Sequence, residues 1–404
     1  MLREILKSII HSQKEWLVPE EKEIPREQLD KFSSLPPFAY LLTGVRRSGK
    51  STLLKQLMKQ HDSLNYFNFE DSRTVEFEVS DFMIVEELFS ELSDNNQIIF
   101  FDEIQNVTGW ERYVRDAIDR KKTVVITCSN ANLLSRELGT KLTGRHLDYE
   151  VFPFSYMEFL SYLKLTPGAE SYLSFINEGG FPGYLSLGKK EVLSTLVSDI
   201  LVRDIFSRYN LRNQDVYRRI VQYLLSNTGK EISFNNLKNT FEVGSASSVM
   251  DFLNYLTDAY LLFLVPRYDT SLKVQARNPR KVYAIDQGLV NFYSVSGSPD
   301  RGRLLENTVY LQMRRKGYET WYFKGKKECD FICRHNKKHY SAFQVSWKVD
   351  QQNEKREIDG LLEAMNQLNL SFGTIITFDQ EDTLIIDKKT IHLIPGWKWA
   401  AKPD

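Results

Sequence analysis

Nothing in this chain of 404 residues tips its charge: 53 lysines and arginines meet 53 aspartates and glutamates. That neutrality excludes a strongly basic nucleic-acid binder, though it leaves room for a local basic patch. Cysteine is scarce. Cys128, Cys329 and Cys333 fit a reducing compartment, and the Cys329/Cys333 pair lacks the second half of a metal-ligating set, so both read as strand cysteines. No apolar run is long enough to span a membrane, and the opening Met1-Leu2-Arg3-Glu4-Ile5-Leu6-Lys7 lacks the uninterrupted apolar segment of an export signal. The expectation is a cytoplasmic protein with no membrane partner. Internal repeats and low-complexity tracts are absent too. Aromatic residues, by contrast, are plentiful (Phe 25, Tyr 20, Trp 6), and 42% of residues are hydrophobic, the composition of folded domains. The length suggests two or three of them.

The richest local pattern is Gly44-Val45-Arg46-Arg47-Ser48-Gly49-Lys50-Ser51. It follows the apolar run Phe38–Leu42 and precedes the helix-like Thr52–Met58. Strand, glycine-bounded loop and helix in that order form a phosphate cradle. Glycine at both ends lets the backbone curl so that N–H groups converge on an anion, and the helix adds its positive dipole end. The nucleotide-binding set is therefore Gly44, Val45, Arg46, Arg47, Ser48, Gly49, Lys50, Ser51 and Thr52. Lys50 is expected to reach the β- and γ-phosphates of ATP, and the Ser51 hydroxyl to ligate Mg2+.

A second segment, Ile98-Ile99-Phe100-Phe101-Asp102-Glu103, is an apolar run ending in two acids. Four consecutive apolar residues read as a buried strand of a parallel sheet, whose C-terminal end lies where open α/β sheets bind ligands. Asp102 is expected to hold the Mg2+ shell and Glu103 to polarise a water against the γ-phosphate. The second acid points to a hydrolase rather than a phosphate-transferring kinase.

Residues 1–34 read as an amphipathic helix (Leu2, Ile5, Leu6, Ile9, Ile10) and a linker punctuated by Pro19 and Pro25. Residues 35–151 alternate strand and helix, with Leu64–Phe69 and Thr123–Thr127 as further strands, the rhythm of a parallel sheet covered on both faces. Residues 152–212 read as a helical lid broken at Gly179–Gly183. Residues 213–286 read as a winged helix: three short helices, with Ser233 and Ser245 as caps and Val249, Phe252, Leu253 and Leu256 as the third helix's inner stripe, then Leu261–Val265 and Lys281–Ile285 as hairpin arms. The third helix offers no Arg or Lys to phosphates; the cations lie on the wing, at Arg267, Lys273, Arg277, Arg280 and Lys281. DNA binding through that wing stands beside a packing role between neighbouring domains.

Taken together, these segments resemble a family of prokaryotic AAA-type ATP-binding proteins, which join a P-loop ATPase to a C-terminal restriction-endonuclease-like domain of unknown function. The marks run over nearly the whole chain: Gly44 to Ser51, Asn68–Arg73, Phe101–Gln105, Thr127–Ala131, Leu142–Arg145, Pro153–Phe159 and Gly179–Pro182, then Leu305–Asn307, Cys329–Phe331 and Gln344–Ser346. The resemblance implies that Ser129 and Asn130 sense the γ-phosphate at the tip of the strand beside the Asp-Glu strand. Cys128 replaces the family's usual glycine there, with its side chain free to face the core. Arg145 is similar in placement to an arginine that could act as a finger, in its own site or a neighbour's, or could form a structural ion pair. A finger in trans would require a homo-oligomer.

For residues 287–404 the resemblance implies a restriction-endonuclease-like α/β domain, whose active members hold Mg2+ on acids followed by an (Asp/Glu)-x-Lys strand. Glu306, on the helix-like run Leu304–Leu311, and Asp330, at the start of the strand Phe331–Cys333, match the acids. Gln344 and Ser346 stand where acid and lysine belong, and a neutral amide is a poor ligand for a hard cation. The strand reads as Ala342–Lys348, so Lys348, two residues on, shares the Ser346 face, roughly 7 Å further along. The expected fold is thus α/β: a P-loop NTPase sheet, helical lid, winged helix and degenerate nuclease-like domain. The expected function is an Mg2+-dependent ATPase that rearranges the latter modules. A nucleotide-dependent binding switch with little turnover and an ATP-regulated DNA nuclease are the alternatives.

Overall fold

The computed structural model describes residues 1–15, 23–92, 97–130, 144–294, 300–336 and 339–402. Among the marks above, Pro19, Ala131, Leu142 and Thr143 lie outside the described residues. The chain divides into two compact units, one of residues 1–152 together with Asp258–Tyr260, the other of the remainder. The expected boundary after Val151 lies one residue from that cut; the others fall inside a unit.

In the first unit, β1 (Ala39–Thr43), β2 (Tyr66–Asn68), β3 (Ile98–Asp102), β4 (Thr123–Cys128) and β5 (His146–Glu150) pair in parallel in the order β2-β3-β4-β1-β5. Successive side chains of a strand point to opposite faces. Leu41, Phe67, Phe101, Val124 and Ile126 accordingly join one core with the helices Arg3–Glu15, Asp81–Leu92 and Trp110–Asp119. Tyr40, Leu42, Phe100 and Val125 join another with the helix Lys50–Gln60. Both faces of the central strands are covered, which is why β1, β3 and β4 read as largely apolar runs. In the N-terminal helix Leu6, Ile9 and Ile10 are buried as expected, whereas Ile5, and Leu2 just before the helix, face solvent.

The second unit opens with the helices Tyr156–Leu163, Ala169–Glu178, Pro182–Leu187 and Glu191–Asp199, the last running into a π-helical turn, Ile200–Phe206. Ser155 and Glu158 form a reciprocal capping box on the first. The break falls at Gly179 and Gly180, and a Cβ on Gly180 would collide with the Phe154 carbonyl. The helices Gln214–Ser226, Phe234–Phe241 and Ala246–Asp258 follow, with a three-stranded antiparallel sheet in the order β6-β8-β7: β6 Glu231–Ile232, β7 Leu262–Pro266, β8 Arg280–Ala284. Ser245 caps the third helix through Ser248 N, and the inner stripe of that helix is buried as expected. Ser233 sits at the start of the second helix, but its side chain makes no cap bond. The two hairpin arms are separated by a further helix, Leu272–Arg277.

The unit closes with the helix Arg301–Arg315 and a six-stranded sheet, β9 (Glu319–Lys324), β10 (Glu328–Asn336), β11 (His339–Val345), β12 (Phe372–Thr377), β13 (Asp382–Ile386) and β14 (Lys389–Pro395), ordered β13-β14-β12-β11-β10-β9. β11 and β12 are parallel, and the helix Glu354–Gln367 supplies the crossover such a pair needs. Two expectations are corrected here. Asp330 lies inside β10 rather than at its start, and β11 ends at Val345, so Ser346 and Lys348 belong to the following loop and share no strand face. The fold is mixed α/β, a P-loop-type parallel sheet joined in sequence to a C-terminal sheet module.

Candidate functional site

β1 ends at Thr43, the chain turns through Gly44–Gly49, and a helix begins at Lys50. Gly44 has φ 147° and Gly49 φ 96°, and neither tolerates a side chain. A Cβ at Gly44 would strike the Val151 carbonyl; one at Gly49 would strike the Arg26 guanidinium. Ser48 N donates to Val45 O at 3.2 Å, closing the turn. The Lys50 ammonium is buried, donates to the carbonyls of Gly44 and Val45 at 3.0 Å each, and lies 3.9 Å from Glu103 Oε1. The first N–H groups of a helix have no acceptor within it, and the buried Ser48 hydroxyl has no protein partner. A phosphate supplies the acceptors such donors require.

Arg26 holds this loop from outside. Its guanidinium is buried, donating through Nη1 to Ser48 O at 2.7 Å and through Nη2 to Phe152 O at 2.8 Å. Sequence reasoning placed Arg26 in a linker and missed it. Arg46 is partly buried and pairs with Glu70 at 2.9 Å.

In the sheet, β4 lies between β1 and the Asp-Glu strand β3. Asp102 is buried at the end of β3, accepting from the hydroxyl of Thr127 and from Tyr66 at 3.2 Å. Burial and the neighbouring Glu103 push its carboxyl above the usual range, while the hydroxyls of Thr127 and Ser51 and the Lys50 ammonium oppose that shift. Ser51 and Asp102 therefore pair an alcohol with a carboxylate at one point, hard oxygen donors of the type Mg2+ takes. Glu103 adopts a left-handed backbone, φ 53°, and its N–H donates to Thr127 Oγ1 at 2.8 Å. That conformation is costly for a residue with a side chain and turns the carboxylate toward Lys50. Gln105 bridges the two halves of the site, donating to Glu103 Oε2 and, at 3.3 Å, to Ser129 Oγ. Ser129 and Asn130 are buried just beyond β4, and Cys128 faces the core. Gln105, Tyr66 and Thr127 were not singled out as site residues. A polar side chain inside or just past an otherwise apolar strand, as at Thr127 in Thr123–Cys128, is the signal that would have found one of them.

Arg145 stands elsewhere. Its carbonyl accepts from Ala39 N, at the start of β1, and its exposed side chain pairs with Asp119. A five-residue strand separates it from the loop, roughly 13–16 Å at strand rise. In this arrangement Arg145 does not reach its own subunit's phosphate site.

A second polar centre lies in the second unit, in a cleft of about 610 Å³. Glu306, Asp330 and Gln344 meet there: Asp330 N donates to Gln344 Oε1 at 3.2 Å, and Gln344 Nε2 to Glu357 at 2.6 Å. Ser346 turns its hydroxyl to Lys348 O at 3.0 Å, and the exposed Lys348 side chain takes no part. Arg356 pairs with Glu357 at this centre, and the cation on Glu306 and Asp330 is Lys281, read from sequence as a wing residue. It is buried, because Lys281 and Tyr283 share one face of β8 and both reach Glu306, at 3.3 and 2.6 Å. Burial favours the neutral amine, but Glu306, Asp330 and Glu328 outweigh it and hold the Lys281 pKa well above the ordinary lysine value. Burial likewise drives the Glu306 carboxyl upward, with Lys281 opposing and Asp330 adding to the shift.

A sequence profile of the AAA domain matches residues 37–160, and a profile of a domain of unknown function matches residues 169–300. An uncharacterized protein of Methanocaldococcus jannaschii is 32% identical over 398 residues, covering 91% of this chain and 89% of that protein. One from Haemophilus influenzae is 30% identical over 321 residues, covering 74% and 80%. Among solved structures, the Aeropyrum pernix ORC2 protein in its ADP form is a loose likeness, 12% identical over 61% of this chain and 90% of that one, with a TM-score of 0.33.

Proposed function

The chain belongs to the prokaryotic family of AAA-type ATP-binding proteins, and on that footing we propose that it hydrolyses ATP with Mg2+ in the cytoplasm. One observation carries the reading: a buried lysine, held by a glycine-bounded loop, faces a strained glutamate at 3.9 Å. Lys50 and the loop N–H groups bind the β- and γ-phosphates. Ser51 and Asp102 hold the Mg2+, which when bound neutralises charge on the phosphates. Glu103 orients and deprotonates the attacking water, and its bond from Gln105 keeps the carboxylate in place. Through Ser129 the same glutamine links that carboxylate to the sensor position beside Asn130. Nucleotide turnover then drives rearrangement of a winged helix at 213–286 and a nuclease-like domain at 287–404, with DNA meeting the exposed Lys273 and Arg277.

Steady-state phosphate release tests this. Glu103→Gln is expected to cut the rate about 100-fold or more while ATP still binds, the usual contribution of a positioned base. Duplex DNA raises the wild-type rate but not that of a Lys273→Ala/Arg277→Ala variant. Equal inertness of wild type and Glu103→Gln, with binding intact, would make the chain a nucleotide-dependent switch instead.

A further inference from the structure

The likeness of residues 287–404 to a nuclease implies a metal ion at Glu306 and Asp330, and the side chains present do not fit one. Lys281 Nζ lies 2.8 Å from Glu328, 3.1 Å from Asp330 and 3.3 Å from Glu306. Of the three N–H donors of an ammonium, two go to Glu306 and Asp330, and Glu328 pairs with the same charge. Other acceptors of the centre are engaged too: Asp330 Oδ2 accepts from Val345 N at 3.0 Å and Glu357 from Gln344, while Glu306 Oε1, already on Lys281, also takes the Tyr283 hydroxyl at 2.6 Å. A bound Mg2+ needs carboxylate oxygens at about 2.1 Å in an octahedral array. To reach Asp330 and Glu306 together it must enter ground the ammonium holds, against like charge in a buried setting where repulsion is poorly screened. Lys281 is itself fixed: it sits on the central strand of a three-stranded sheet and its side chain is only 4% exposed.

We propose that the Lys281 ammonium is the resident cation of this centre, standing where a divalent metal would stand. The C-terminal centre is therefore closed to metal and performs no metal-dependent phosphodiester cleavage. Its acids instead anchor β8 to β10 and to the helix Arg301–Arg315. Lys281 supplies the positive charge missing from Ser346, but as a counter-ion rather than as a partner to a bound metal. The inference is independent of whether the first unit hydrolyses ATP.

Titration of the nucleotide-free, full-length chain with Mn2+, followed by the paramagnetic resonance of unbound ion, tests it. Wild type, Asp330→Asn and Glu306→Gln are expected to bind the same amount, all of it shared background. Lys281→Met is expected to gain an additional ion that the Lys281→Met/Asp330→Asn double variant loses, whereas Lys281→Arg, which keeps the charge, gains none. A thermal midpoint of Lys281→Met raised by Mn2+, with no such rise in wild type, reports the same site through stability. Loss of Mn2+ from wild type on Asp330→Asn or Glu306→Gln overturns the proposal. So does a Lys281→Met chain with the wild-type circular dichroism spectrum and no added ion. Should Lys281→Met fail to fold, the comparison of wild type with Asp330→Asn and Glu306→Gln still decides.

Discussion

Arg26 shows how far one buried side chain can reach. Its two charge-assisted bonds, to Ser48 O and Phe152 O, fix the loop carbonyl next to Gly49 and the chain beyond β5 at once. Such bonds to charged groups contribute about 1.5–3 kcal/mol each where they are formed. Arg26→Ala is expected to weaken ATP binding roughly tenfold or more, about 1.4 kcal/mol, in a titration with a fluorescent nucleotide, and Arg26→Lys to recover only part of it. Unchanged affinity in Arg26→Ala would reduce the residue to a structural tether. Lys50, Ser51, Asp102 and Glu103 were legible in the sequence because a phosphate loop is a local pattern, written within eight residues and one strand end. Arg26 was not, since nothing in a charged, proline-marked stretch says which arginine turns inward. Lys281 was misread for the related reason that a lysine in a segment read as a wing is expected to be solvated.

Helices and strands were readable where periodicity is strong, and less so where an ion pair decides how they pack. In the first unit Glu86, on the helix Asp81–Leu92, accepts from Arg120 at 2.8 Å and from Tyr113 at 2.8 Å, and also pairs with Lys122. Burial opposes its ionisation, but Arg120, Lys122 and Tyr113 prevail and hold the carboxyl down at about 2, from an ordinary 4.5. A depressed carboxylate contributes stability that is complete above its unfolded pKa and disappears as pH falls toward the folded one. Urea unfolding of wild type is therefore expected to lose stability between pH 4.5 and about 2, and Glu86→Gln to show a flatter acid limb. At neutral pH the substitution costs on the order of 2 kcal/mol, because two cations are left against a neutral amide. Parallel acid limbs in the two proteins would show that Glu86 does not set the acid response. The ends of elements were the weakest part of the reading: Ser346 and Lys348 were placed on a strand that stops at Val345, since strand length follows from pairing partners rather than from the residues themselves.

For the molecule as a whole, the position of Arg145 bears on assembly. An arginine at the start of β1 is separated from its own phosphate loop by the length of the strand, and can serve a phosphate only in a neighbouring subunit. Light scattering is expected to show a rise in particle mass on adding a non-hydrolysable ATP analogue with Mg2+. In Arg145→Ala, phosphate release at saturating ATP should fall by about 1,000-fold, the contribution of an arginine finger, with nucleotide affinity little changed. A particle that stays monomeric with the analogue, or an Arg145→Ala variant at the wild-type rate, would leave the Arg145–Asp119 pair as structural support alone.

Local chemistry was therefore legible along the chain: the glycine-bounded loop, the paired acids, the apolar runs of a buried parallel sheet and the neutral residues standing in a nuclease-like pattern. Each is spelled out within a few neighbouring positions, and backbone sterics and side-chain periodicity translate it directly into geometry. Which acceptor each buried cation meets came only from the folded chain. Arg26 is separated from the loop carbonyl it holds by 22 positions, and Lys281 from Asp330 by 49. Burial alone would expel those charges, and a partner brought close by the packing of other elements is what lets them remain.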